Sequence, residues 1–247
     1  MSERWVSLER LWTSELLREL AYPSKDVNYA REVLRELESS SIIEVSVCDE
    51  GLTVLGKGYR SIVVRCKMDD GVVAAKILRT DSPLRDVLHE ASMQRYANEH
   101  GIGPKLFSST PRVIVMEEVT GVDLGRWLVG TGRDRVKVAR DIILELLRMG
   151  RSLDEIRLRH GELSNAKRHV IVSYRGPVII DFSASSLHER PANLNALLNY
   201  LFYGEVRDVV TQTIGLRSPS LGPLKAYKRY HSDHWYRKIL EELIAEC

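Results

Sequence analysis

Six polar or small residues, spaced widely along this chain, carry between them the means to handle a phosphate group. Gly56 and Gly58 stand in "LGKGYRSIV" between two apolar stretches. With no Cβ at either position, backbone N–H groups can approach an anion closely, although an ordinary tight hairpin uses glycine in the same way. Lys76 lies inside "VVAAKIL", on the face that alternation shares with Ala74 and Leu78. An ammonium there must find an anion, snorkel at an edge, or suffer for its burial. Glu90 follows fourteen residues later in "LHEASMQRY" and can supply that anion. Further on, "RHGELSNAKRHVIV" sets Glu162 two residues after a histidine and ahead of an apolar run, and "VIIDFSASS" ends a second run in Asp181, nineteen positions later. A carboxylate at a strand end beside a second acid suits magnesium, and a purely structural strand-end aspartate looks the same. Taken in this order they are able to serve as a phosphate cradle, a charge-neutralising lysine and a metal-binding acid, with Glu162 either a catalytic acid or only a charged residue in a loop.

The elements that must position them change character along the chain. The first forty residues read as two helices, "LERLWTSELLREL" and "DVNYAREVLRELESS", separated by "AYPSKD" with Pro23 as breaker and Asp26 as N-cap. They are a packing extension or a vestigial helix-turn-helix. From Ile42 to Leu78 the segments "IIEVSV", "LTVLGKG", "SIVVRCKM" and "GVVAAKIL" are short, rich in Val and Ile, and joined by turn residues, which predicts an antiparallel meander. A helix is expected over 83–100, then two strands, "KLFSS" and "RVIVMEEV". "DRVKVARDIILELLRMG" is helical with Val138, Ile142, Leu146 and Met149 on one face. "HVIVSY" and "PVIIDF" form a small hairpin, and the chain from about Asn193 is helical. The prediction is an α+β chain of two lobes with an N-terminal helical extension, divided as 1–41, 42–119 and 120–247.

Composition narrows the setting. With 44% hydrophobic residues in 247, the chain can bury a substantial core. Its 36 basic and 34 acidic residues leave a formal charge of +2, so any basic surface must be local. Cys48, Cys66 and Cys247 are odd in number and scattered, which suits a reducing compartment without disulfide or zinc. No window approaches about eighteen uninterrupted apolar residues, so a cytoplasmic protein without a membrane span is expected. Two glutamines against many Arg, Glu and Lys lean toward a thermophile.

Taken together, Gly56 and Gly58, the "AAK" lysine, Glu90, the stretch "VMEEV", "HGELS" and "IIDF" resemble the protein kinase-like superfamily, and within it the small atypical archaeal Ser/Thr kinases related to the RIO kinases. The resemblance covers roughly residues 50–190. It implies an antiparallel-sheet N-lobe over a minimal helical C-lobe, with ATP between them and Mg2+ as cofactor. By this likeness Ser61 stands where a glycine-rich loop has its third glycine, and Val63 and Ala74 line the base. Main-chain groups of Glu117 and Val119 read the base, Lys76 and Glu90 hold the α- and β-phosphates, and Asp181, helped by Asn165, holds the metal. Glu162 takes the place of the catalytic-loop aspartate.

Three departures stand out. Glu162 carries its carboxylate one methylene further out, a displacement of about 1 Å, and errors of that size at a reacting group cost on the order of 10²-fold unless the loop is rebuilt around them. Lys167 occupies the position of the second metal-binding residue, where it can neutralise phosphate or abolish metal binding. Asp181-Phe182-Ser183 lacks the glycine of its motif, and no alanine-proline-glutamate follows. The expected function is ATP-dependent transfer of a γ-phosphate to a hydroxyl of unknown identity; the alternatives are a nucleotide-binding pseudokinase scaffold and a RIO-like ATPase switch on a ribonucleoprotein. For the last, "PLKAYKRYHSDHWYRKIL" interleaves Lys225, Lys228, Arg229, Arg237 and Lys238 with Tyr227, Tyr230, Trp235 and Tyr236, a mixture able to contact RNA, or else an amphipathic helix with its aromatics turned inward.

Overall fold

The structure, a computed structural model, describes residues 4–244 and divides into two compact units. Unit 1 takes the chain up to Asn98 together with Pro104–Glu118; unit 2 takes Glu99–Gly103 and the chain from Val119 onward.

Unit 1 opens with β1 (Arg4–Ser7), α1 (Leu8–Leu11), a 3-10 turn (Glu15–Ala21) and α2 (Val27–Ser39). The meander follows as β2 (Glu44–Cys48), β3 (Gly51–Leu52), β4 (Val54–Lys57), β5 (Ser61–Met68) and β6 (Gly71–Leu78). α3 (Leu88–Glu99), β7 (Leu106–Ser109) and β8 (Val113–Glu117) complete it. Among the described residues the sheet has eight strands, all paired antiparallel, in the order β1-β2-β5-β6-β8-β7, with β3 on β2 and β4 on β5. Its two faces follow from the period of two. Val73, Ala75 and Ile77 of β6 share one face with Ile62, Val64 and Cys66 of β5 and Val113 and Val115 of β8, and they pack into one core with Leu8, Leu11, Leu17, Leu20, Ala30, Val33, Leu34 and Leu37. Leu78 and Ile114 point the other way and pack on Val87 and Ala91 at the start of α3. The sheet is therefore a middle layer, with the N-terminal segment on one face and α3 on the other.

The N-terminal segment departs from the two helices expected of it. Residues 4–7 form a strand in register with β2, from Arg4 opposite Val47 to Ser7 opposite Glu44. The first helix breaks after one turn, because Ser14 turns its hydroxyl onto the Leu16 N–H and starts a fresh 3-10 turn. α2 is N-capped by Asp26 onto Tyr29 N–H at 2.7 Å, and Glu36 on its flank accepts from Thr110 Oγ1, Arg112 N–H and the Arg112 guanidinium. α3 starts at Leu88, later than expected, with Asp86 Oδ1 accepting from the Leu88 N–H. Cys66 is buried and Cys48 half-buried, both free thiols; Cys247 lies outside the described residues.

Unit 2 comprises β9 (Gly121–Asp123), α4 (Leu124–Val129), α5 (Val136–Glu155), α6 (Ala166–His169), β10 (Val170–Ser173), β11 (Gly176–Ile179), α7 (Asn193–Tyr203), α8 (Leu221–Tyr230) and α9 (Asp233–Ile244). The expected hairpin gains a third strand, because β9 pairs with β10 from Gly121 opposite Ser173 to Asp123 opposite Ile171. A Cβ at Gly121 would collide with the Val172 carbonyl, so glycine admits that pairing. The buried stripe of α5 is Ala139, Ile143, Leu146, Leu147, Gly150 and Leu153; Val138, expected inside, is 50% exposed. Leu146 and Met149 are buried as expected, and the phase at the start of the helix is one residue later because Ala139 and Ile143, not Val138 and Ile142, complete the stripe.

The centre of unit 2 is polar. Asp154 is buried near the end of α5, where Oδ1 accepts from Asn193 N–H (2.8 Å) and Nδ2 (2.9 Å), and Oδ2 from Leu194 N–H and the Tyr227 hydroxyl (3.0 Å). Burial pushes the Asp154 carboxyl above the ordinary carboxylate range, although these donors pull the other way. With a folded-state pKa above the unfolded one, its contribution to stability is full in acid and is lost as pH rises through the folded value.

Two measurements test this packing. Leu34→Ala removes a fully buried side chain from the layer beneath the sheet and should cost about 2–5 kcal/mol in the urea unfolding of unit 1. Tyr227→Phe removes one donor from Asp154 while leaving the ring in place, and should cost unit 2 about 1–2 kcal/mol.

Candidate functional site

The residues singled out by sequence fall into two constellations, one in each unit. In unit 1, Lys76 lies on the α3 face of β6, directly opposite Val63 on β5 and Ile114 on β8. Glu90 is in the first turn of α3, and Lys76 Nζ donates to its Oε1 at 2.5 Å, with the two side chains 9% and 7% exposed. The pair forms because alternation sends Lys76 to this face and Leu78, Val87, Ala91 and Ile114 seat α3 there. Ala74 is buried two residues along the same strand, and Val63 is half-buried beside it.

The glycine turn behaves differently at its two glycines. Gly56 sits in β4 opposite Val63, beside a register shift, and a Cβ there would meet nothing within 4 Å. Gly58 donates its N–H to the Ser61 carbonyl at 2.8 Å, and its own carbonyl accepts from Arg79. That N–H is spent closing the turn, whereas the space beside Gly56 is open. Ser61 is buried at the start of β5, and Glu117 ends β8 with its N–H donating to the Lys105 carbonyl.

In unit 2, the segment carrying Glu162 is fastened on both sides. His160 is fully buried; its Nε2 bonds the Ile180 carbonyl at 3.0 Å, while its Nδ1 faces the Glu162 N–H at 3.4 Å, and its ring packs on Phe182 at 5.2 Å between centroids. This arrangement calls for the tautomer with hydrogen on Nε2. The His160 N–H donates to Asn193 Oδ1, which joins the loop to the Asp154 network. Gly161 has φ +90°, and a Cβ there would lie 2.5 Å from the Ala184 carbonyl. Arg159 and Ser186 exchange two backbone hydrogen bonds, so residues 181–186 run beside 159–161. Asp181, two residues beyond β11, has φ +67°, a left-handed conformation uncommon outside glycine and worth notice at a site.

These constraints bring Glu162 and Asp181 together with a residue that sequence reasoning passed over. One ligand atom each from Glu162, His169 and Asp181 lies within 4.8 Å of the others. His169 closes α6, seven residues after Glu162, which precedes the 3-10 turn leading into that helix. That spacing was the available signal. Two carboxylates and an imidazole are a donor set able to hold a divalent cation. Asn165 ends the 3-10 turn Leu163–Asn165 and donates its N–H to the Glu162 carbonyl; Val119 is half-buried at the start of the unit. Lys167 turns to Glu205, with Nζ 2.9 Å from Oε2.

The basic C-terminal segment is a pair of helices, α8 and α9, joined at His231 in a left-handed conformation, in place of one helix. Lys225, Lys228, Arg229, Arg237 and Lys238 are exposed. Of the aromatics, Tyr227 is buried on Asp154, Tyr236 covers Arg151, Trp235 is half-buried, and Tyr230 alone is exposed, so the surface offers phosphate contacts with a single ring for stacking. No helix among the described residues is long and apolar enough to cross a membrane.

Scanned against models of known families the chain matches none, and no curated protein matches it.

The ion pair of unit 1 can be weighed directly. A double-mutant cycle of Lys76→Met and Glu90→Gln, followed by urea unfolding, should give a coupling of about 1–3 kcal/mol, the range for residues in direct contact at a buried position.

Proposed function

We propose that this chain is an ATP-dependent phosphotransferase of the protein kinase-like kind; unit 1, taken by itself, carries groups suited to a nucleotide's phosphates, and unit 2, taken by itself, carries groups suited to a divalent cation and an acceptor hydroxyl. The observation that carries the reading is the buried Lys76–Glu90 pair. A lysine in the middle of a sheet, oriented by a carboxylate from the following helix, presents a fixed positive charge suited to the α- and β-phosphates. Gly56 gives the nucleotide room above the sheet, and Val63 and Ala74 offer an apolar wall to a base.

In unit 2, Asp181 and its neighbours would hold the cation. Bound magnesium would neutralise charge on the β- and γ-phosphates. Glu162 orients the acceptor hydroxyl and takes its proton as the new bond to the γ-phosphorus forms and the bond to the β–γ bridging oxygen breaks, releasing ADP. His160 and Asn193 keep the Glu162 segment in place through the Asp154 network. The transfer depends mainly on positioning and charge, so a glutamate can serve where an aspartate is more usual.

A second reading, a nucleotide-binding scaffold without transfer, is favoured by one observation: Lys167 stands where a further metal ligand is expected and is paired with Glu205.

Calorimetry with Mg-ATP and transfer of labelled γ-phosphate to protein or water, on one preparation, separate the readings. The phosphotransferase predicts binding with turnover that falls about 10²-fold or more in Glu162→Gln and in Asp181→Asn. Binding with no turnover supports the scaffold, and no binding overturns both.

A further inference from the structure

His169 is the feature that neither the fold nor the proposed transfer accounts for. Its side chain is only 9% exposed, and its Nδ1 is buried without a hydrogen-bond partner. Nε2 faces Glu162 Oε2 at 3.8 Å, beyond hydrogen-bond reach. A buried imidazole normally satisfies at least one nitrogen. Here the ring is held at the C-terminal end of α6, edge-on to His160 at 5.6 Å, with Nε2 on the side of Glu162 and one ring nitrogen within 4.8 Å of a carboxylate oxygen of Glu162 and of Asp181.

We propose that Glu162, His169 and Asp181 form a binding site for a divalent first-row transition ion, with the His169 imidazole bonded directly to the metal. Atoms held about 2.1 Å from a common ion lie about 3 Å apart when adjacent and about 4.2 Å when opposite, so three donors already within 4.8 Å of one another reach a common ion by closing a pair by up to about 2 Å, a change that rotation of the carboxylate side chains supplies. The donor types discriminate among ions. Magnesium is hard, takes oxygen and keeps its waters, and gains little from an imidazole. Manganese and its neighbours accept nitrogen beside carboxylate oxygen. The longer side chain of Glu162 gains a purpose in this arrangement, since its extra methylene extends the carboxylate from the loop to the same point as Asp181 and His169. The inference rests on the reading above only in placing a divalent cation at Asp181; it requires neither nucleotide nor transfer.

The test uses Mn2+ alone, added to the full-length, nucleotide-free protein. Loss of the free-ion electron paramagnetic resonance signal gives the affinity, and electron spin-echo modulation reports directly bonded nitrogen. The expected result is one bound Mn2+ with 14N modulation that disappears when the histidines are labelled with 15N, which needs no substitution and so no assumption about folding. His169→Gln should abolish the modulation and weaken Mn2+ binding about tenfold or more, while the competing affinity for Mg2+ changes little. Binding without nitrogen modulation, or no binding, overturns the proposal, as does modulation that survives in a folded His169→Gln protein. Mg-ATP calorimetry on the same preparation keeps the two readings apart. Nucleotide binding with nitrogen-free Mn2+ defeats this inference alone, and nitrogen-bound Mn2+ without nucleotide binding defeats the phosphotransferase alone.

Discussion

A carboxylate at the centre of unit 2 would be costly to bury unless donors surrounded it, and Asp154 is surrounded. Two N–H groups at the start of α7, the Asn193 side chain and the Tyr227 hydroxyl of α8 converge on its two oxygens. The consequence reaches the candidate site by a short path. Asn193 uses its Nδ2 on Asp154 and on the Leu158 carbonyl, which leaves Oδ1 to receive the His160 N–H. His160 in turn bridges to Ile180, the residue before Asp181, and touches the Glu162 N–H. Each link has directional geometry, so the network specifies where the Glu162 segment and the end of β11 lie in a way that apolar packing alone would not. The shape of the loop therefore depends on α5, α7 and α8 meeting at one buried acid.

Unit 1 rests on a different constraint, the two-sidedness of a strand. β6 is buried on both faces, so its residues read as a nearly continuous apolar run with one lysine in it. The odd-numbered positions are taken by the core under the sheet, to which the N-terminal helices contribute. With that face closed, the opposite face has room for both α3 and an ion pair. Glu90 is brought to Lys76 by the same apolar contacts that seat α3, and the pair then adds a directional bond to an orientation that packing has already set. A buried ion pair is weak evidence of stability in itself, because desolvation offsets much of the Coulomb gain.

What could be read from sequence follows the same division between periodic and convergent features. The meander, α3 and α5 announced themselves because period two and period 3.6 are local. The placement of Lys76 and its pairing with Glu90 needed only strand alternation and the order of elements. β1 was hidden because four residues with a Trp and an Arg have no pattern of their own and become a strand only against β2. The break at Ser14 was hidden because a hydroxyl competing for a backbone N–H looks like any surface serine. Asp154, Asn193 and His169 lie within helices or at their ends, as far as 39 residues apart along the chain in the case of Asp154 and Asn193, and their shared purpose exists only after three helices and a small sheet converge. Only His169 carried a local trace, the seven-residue interval from Glu162.

That interval bears on how Glu162 would work in the proposed site. A carboxylate bonded to a divalent ion is a poorer base than a free one, since the ion stabilises its charged form. Glu162 cannot be both a tight metal ligand and a strong proton acceptor in the same state. The conflict is mild for phosphoryl transfer, where the transition state is loose and the acceptor proton has little reason to leave early. A glutamate that spends its charge on the ion can still receive a hydrogen bond from the acceptor hydroxyl on its second oxygen and set its direction of attack. Its side chain is 43% exposed, enough for an acceptor to reach it, whereas His169 beneath it is not. In the proposed site the buried imidazole would hold the ion while the carboxylate serves ion and acceptor together, which gives the extra methylene of Glu162 a use.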